Sequence, residues 1–258
     1  MQATHDPAIK ALLDELLAGV QAALGPELVG MYLYGSLAYG GFVPGRSDID
    51  FLVVTRGRLD DPRLAALESL HRELLASGRP WASALEGAYL PAHFLRRHDP
   101  SDEVHPALTH EEGFVQDHFG SDWDLQRYTL LRYPVVLAGP PPNELIDPVG
   151  IADLQRGARR LLDGWWRQPL EGADWIRPPG YQAFAALTMC RAIYLLEQGE
   201  FPNKPQALAW AQQQLPVEWA ALATAADAWR EGQDFDRLEE VLAFIRYTFA
   251  RVGVPLSQ

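Results

Sequence analysis

Two aspartates one residue apart, Asp48 and Asp50, open the apolar run Ile49-Asp50-Phe51-Leu52-Val53-Val54. Side chains alternate along an extended chain, so both carboxylates share one face while Ile49 and Phe51 take the other. Neighbouring carboxylates repel unless a cation neutralises them. A hard divalent ion such as Mg2+, held by one or two carboxylates and phosphate oxygens, suits the pair. Upstream, Gly35-Ser36 closes the apolar stretch 29–34, and backbone N–H groups with a hydroxyl at such a strand-to-helix turn are suited to cradling phosphate. Glu86 stands alone among the apolar residues of 81–90. A carboxylate inside a strand calls for a partner or a metal. On a strand beside the aspartates it would ligate metal and accept a proton. A lone Asp-x-Asp is more often a solvated strand end; the joint pattern is what points to metal-assisted phosphate chemistry.

The elements that must position these groups follow from the apolar pattern. Residues 7–24 repeat apolar side chains at helical spacing, with Asp6 as N-cap and Gly25-Pro26 as the stop. Strands are expected over 29–34, 49–55 and 82–90, with a Gly-rich turn across 39–46 and a helix over 62–76. The signal weakens from 91 to 122. Residues 123–132 read as helix and 134–138 as extended, and Gly139-Pro140-Pro141-Pro142-Asn143 is the best break in the chain. Beyond it only helices are expected, over 150–167, 180–198, 205–215, 217–231 and 235–251. The order predicts an α+β chain: a mixed-sheet domain over 1–147 and an all-α bundle over 148–258.

Composition narrows the function classes. The 258 residues are 48% apolar, enough to build a core rather than a disordered chain. The net charge of −12 argues against a general nucleic-acid binder and favours cationic partners. The excess sits in the first half. Cys190 is the one cysteine, which excludes a disulfide framework and reads as a small buried apolar residue. No 18-residue apolar run and no basic-then-apolar leader pattern occur, so a soluble cytoplasmic protein with no membrane partner is expected. His93, His98, His105, His110 and His118 show no zinc spacing and read as solvated loop residues. Lysine is confined to Lys10 and Lys204, against 20 arginines, which singles out Lys204 for attention.

The stretch from Tyr34-Gly35-Ser36 to Ser47-Asp48-Ile49-Asp50 resembles the signature of polymerase-β-like nucleotidyltransferases. More narrowly it is similar to bacterial aminoglycoside adenylyltransferases that modify streptomycin and spectinomycin. Asp122-Trp123-Asp124, Leu187-Thr188-Met189-Cys190-Arg191 and Asn203-Lys204 extend the resemblance over most of the chain. It implies two domains with a cleft between them, the helical one completing the ATP and acceptor site. It implies that Gly35, Ser36 and Ser47 hold ATP phosphates, and that Asp48, Asp50 and Glu86 bind Mg2+ (two ions), with Glu86 as general base. A substrate hydroxyl then attacks the α-phosphorus and pyrophosphate leaves. Lys204 matches a lysine that reaches the phosphates, Asp124 an aspartate near the nucleotide, and Trp229 falls near a tyrosine beside it. Arg191 takes a lesser phosphate or ion-pairing role. The implied partners are ATP and a small cationic acceptor bearing a hydroxyl, on a monomer. Tyr181 and Phe184 stand where the streptomycin enzymes carry an aspartate and a histidine that help hold the acceptor. A nucleotidyltransferase with another acceptor (small molecule, protein or RNA end) therefore stays open, as does a binding module that keeps the fold without the reaction.

Overall fold

The computed structural model of the chain describes residues 6–44, 47–97, 104–110, 112–118, 123–172 and 174–256, and only the backbone of His118. Gly45, Arg46, His98 and Asp122, all read above, lie outside the described residues. The chain divides into two units, Met1–Val149 and Gly150–Gln258.

In the first unit, α1 (Pro7–Leu24) starts at Asp6, whose carboxylate accepts from the Ala8 N–H, and stops at Gly25. Its Ile9, Leu12, Leu13, Leu16 and Val20 recur at helical spacing and are buried. Then follow β1 (Leu28–Leu33), the single turn α2 (Gly35–Ala38), β2 (Ile49–Thr55), α3 (Asp61–Ala76), β3 (Leu85–Pro91) and α4 (Ala92–Arg96). A hairpin of β4 (Val104–Thr109) and β5 (Gly113–His118), then α5 (Trp123–Arg132) and β6 (Val135–Ala138), complete the unit. The sheet runs β5-β4-β3-β2-β1-β6. Strands β2 and β3 are parallel, whereas β1 pairs with β2 and β6, β3 with β4, and β4 with β5 antiparallel, which makes the sheet mixed as expected.

Both faces of the sheet centre are covered. Ile49, Phe51 and Val53 join α1 and α3 residues such as Leu12, Leu16 and Leu67 in one cluster. Leu52, Val54, Ala88 and Leu90 join Tyr32, Phe94 and Trp123 in the other. Two expectations need correction. Residues 82–84 form a 3₁₀ turn after Trp81, which takes a left-handed conformation, so the strand starts at Leu85. The β4–β5 hairpin falls where the sequence signal fades, because Pro106 and interspersed polar residues obscure its alternation.

His71 on α3 lies inside this core, its ring stacked between Phe51 and Phe114 and hydrogen-bonded to the Tyr89 hydroxyl at 2.7 Å. Burial pushes the imidazole down from 6.5 to about 4. Between those values the unfolded chain takes up a proton that the folded chain refuses. This contribution to stability is therefore complete above pH 6.5 and lost as pH falls towards 4, by about 3 kcal/mol in total. Urea unfolding over this window should fall more steeply for the native sequence than for His71→Phe, which lacks the titrating ring.

The second unit is helical: α6 (Ile151–Asp163), α7 (Pro179–Gln198), α8 (Lys204–Gln214), α9 (Val217–Ala228) and α10 (Leu238–Val252). The helix expected over 150–167 ends at Gly164 and gives way to a 3₁₀ segment, Trp165–Glu171, that contains Pro169. Ala185, Ala186, Met189 and Ile193 of α7 form the centre of the core with Phe244, Ile245 and Phe249 of α10. Cys190 is buried among them as expected, its thiol pushed up to about 12 by burial. Among the described residues no helix is long and apolar enough to cross a membrane.

Candidate active site

Strand direction gathers the acids. Because β1 runs antiparallel to β2, its end at Leu33 lies beside Phe51 near the start of β2. The chain then turns through Tyr34, whose N–H donates to the Asp50 carbonyl at 3.1 Å, into Gly35 and α2. Because β3 runs parallel to β2, Glu86 falls opposite Asp50 in register. The pairing of strands 49–55 and 85–91 thus places the three acids at one end of two neighbouring strands, as the sequence reading required.

Gly35 shows how tightly this corner is built. Its φ of +61° favours glycine, and a Cβ there would overlap the Asp50 carboxylate. Gly35→Ala is expected to displace Asp50, destabilising the chain by about 1–3 kcal/mol and lowering nucleotidyl transfer about 100-fold. Thermal unfolding and a transfer assay read the two effects separately.

Ser36 is 6% exposed, and its Oγ has no hydrogen-bond partner. A buried hydroxyl left in this state is costly unless a ligand completes it. Ser47 is also buried. Its Oγ accepts from the Val43 N–H and its own N–H donates to the Val43 carbonyl, both at 3.0 Å, so it ties down the loop that ends at Asp48.

A residue not foreseen joins the acids. His110, in the β4–β5 turn, has Nε2 2.9 Å from Asp48 Oδ1. One ligand atom each from Asp48, Glu86 and His110 lies within 4.8 Å of the others. The Asp50 carboxylate lies against Gly35. The hydrogen bond to Asp48 pushes the His110 imidazole up from 6.5 to about 9, so in this state it is an imidazolium beside the carboxylate. His110 is an exposed turn residue, as the sequence reading had it, though not without a partner; that reading fails at His105, which is buried in β4 with its ring edge-on to Trp123. No spacing rule would have flagged His110, because its partner is 62 residues away in the chain.

Helix α5 supports the Gly35 turn from below through Trp123, whose ring centroid is 6.1 Å from that of Tyr34. Next to it, Asp124 is 2% exposed and ion-paired with Arg127, itself buried, one turn along α5. In the second unit, Lys204 is the first residue of α8, capped by Asn203. Arg191 on α7 lies over the Phe201 ring, and its Nε is buried without a hydrogen-bond partner. Trp229 ends α9, donates from Nε1 to the Gln233 carbonyl at 3.0 Å, and lines a cavity of about 440 Å³ with Phe235 and Arg237.

The donor set fits a hard divalent cation, since carboxylate oxygens dominate it, and the unsatisfied Ser36 hydroxyl fits a polar ligand beside it. Residues 13–86 match the nucleotidyltransferase domain model, and residues 144–251 match that of the aminoglycoside adenylyltransferase C-terminal domain. The chain thus joins a nucleotidyltransferase domain to an aminoglycoside adenylyltransferase C-terminal domain. It is accordingly an enzyme, a nucleotidyltransferase. An Escherichia coli aminoglycoside (3'') (9) adenylyltransferase is 29% identical over 93% of each chain. A spectinomycin 9-adenylyltransferase of Staphylococcus aureus is 24% identical over 92% of this chain and 93% of its own. The fold is shared with a spectinomycin adenyltransferase from Enterococcus faecialis, solved with ATP and spectinomycin. The TM-score is 0.74 at 18% identity, covering 95% of this chain and 99% of that one.

Proposed function

We propose that the chain transfers AMP from ATP to a hydroxyl of an aminoglycoside or aminocyclitol antibiotic, of the spectinomycin or streptomycin type, and releases pyrophosphate. The observation that carries this reading is the placement of Glu86 opposite Asp50, at the end of the sheet where Gly35 and the buried Ser36 hydroxyl turn. Asp48, Asp50 and Glu86 would hold Mg2+, which when bound supplies charge stabilisation to the phosphates and orients them. Gly35 leaves room for Asp50, and Ser36 and Ser47 offer hydroxyl donors to phosphate oxygens. Glu86 accepts the proton of the acceptor hydroxyl as it attacks the α-phosphorus, and alignment of the two reactants supplies the rest. Lys204, Arg191, Asp124 and Trp229 carry the nucleotide-binding roles that the family resemblance assigns them. The acidic excess of the first half suits a polycationic acceptor.

The test is incubation with Mg2+, labelled ATP and a panel of spectinomycin, streptomycin and other aminoglycosides. Labelled AMP on an antibiotic with stoichiometric pyrophosphate is the expected outcome. Tight ATP binding with no transfer to any member would instead favour another acceptor. The half-exposed Phe184, which packs on Trp166, and Tyr181, which packs on Trp175, make that second reading concrete, because they present aromatic surface where a cationic drug calls for acids. Failure to bind ATP would overturn both.

A further inference from the structure

We propose that His110 is a nitrogen ligand of the divalent-cation site, which makes the site a mixed carboxylate–imidazole centre rather than an all-oxygen one. The inference rests on the reading that the acids hold a cation, and adds a residue that this reading does not use.

Geometry is the first support. The β3–β4 pairing sets Gly87 opposite Leu108, so the chain leaving β4 at Thr109 arrives next to the start of β3, and His110 follows at once. Its Nε2 is 2.9 Å from Asp48 Oδ1. Two adjacent ligands of an octahedral ion bound at about 2.1 Å lie about 3.0 Å apart, so an ion that displaces the Nε2 proton shared with Asp48 needs little movement of either side chain. The Glu86 carboxylate is within 4.8 Å of both, a spread that a small inward movement of side chains closes onto one ion.

Access is the second. The His110 side chain is 37% exposed and that of Asp48 47%, so an ion can reach the pair without unfolding anything. Chemistry is the third. Mg2+ gains little from an imidazole nitrogen, whereas Mn2+, Co2+ and Zn2+ accept one readily. A nitrogen in the set therefore shifts the preference of the site towards transition metals.

The decisive experiment is electron spin-echo spectroscopy of the full, untagged chain loaded with Mn2+ and no nucleotide. Modulation from an imidazole ¹⁴N is expected in the native sequence. It should vanish in His110→Ala, with Mn2+ still bound but about tenfold more weakly and Mg2+ affinity changed less than about threefold. His110→Gln serves in its place if the alanine variant is poorly folded. Bound Mn2+ without nitrogen modulation, or modulation that persists after His110 is removed, would overturn the proposal and leave the carboxylate cation site standing. A chain that binds neither Mn2+ nor Mg2+, alone or with ATP, would overturn the cation reading and this one with it.

Discussion

Glu86→Gln yields a folded chain that still binds ATP but transfers AMP at about one-thousandth of the native rate or less. The substitution keeps the size and the hydrogen-bonding reach of the side chain, and removes its charge and its ability to take a proton. If Glu86 receives the proton of the attacking hydroxyl, the loss appears in kcat rather than in the KM for ATP. The sheet register does not depend on that charge, since β2 and β3 pair through backbone over 49–55 and 85–91. Removing one of several crowded acids also relieves repulsion, so the thermal midpoint should stay level or rise slightly. ATP binding by fluorescence titration, single-turnover transfer and thermal unfolding on one preparation decide the matter. A variant that keeps more than about a tenth of the activity would remove Glu86 from the role of base.

Asp124→Ala carries the largest expected cost in stability, about 3–5 kcal/mol, which lowers the thermal midpoint by on the order of 10 °C. Asp124 and Arg127 are both buried, and truncating the carboxylate takes a counter-charge from a guanidinium in the interior. Removing both charges, as in Asp124→Leu with Arg127→Met, should recover most of the loss, because apolar residues of similar volume need no desolvated partner. The double variant also separates two roles. If Asp124 serves only the packing of α5 beneath the Tyr34–Gly35 turn, recovered stability brings recovered ATP affinity. If it also contacts nucleotide, as the family resemblance implies, stability returns and affinity does not.

The parts legible in the sequence are those written in short-range pattern. Helix α1 is bounded by Asp6 and Gly25 where cap and breaker residues put it. The alternation in 49–54 was enough to set Ile49 and Phe51 against α1 and α3 and Asp50 on the other face. The hairpin of β4 and β5 was missed, because Pro106 interrupts one strand and polar residues break the alternation of the other. Residues 82–84 were read as strand, and nothing local signals the left-handed Trp81 that leads them into a 3₁₀ turn.

The sequence by itself determined which acids share a face, where the Gly35-Ser36 turn lies, and that a mixed-sheet half precedes a helical one. These properties depend on residues within a few positions of one another, and backbone alternation or helical spacing is enough to read them. Only the tertiary structure decided that β4 lies beside β3. With that neighbour in place, a histidine from a turn with no motif reaches Asp48 and Glu86, and Asp50 turns towards Gly35. Which strands become neighbours is settled by the summed burial of both sheet faces, and no window along the chain contains that sum.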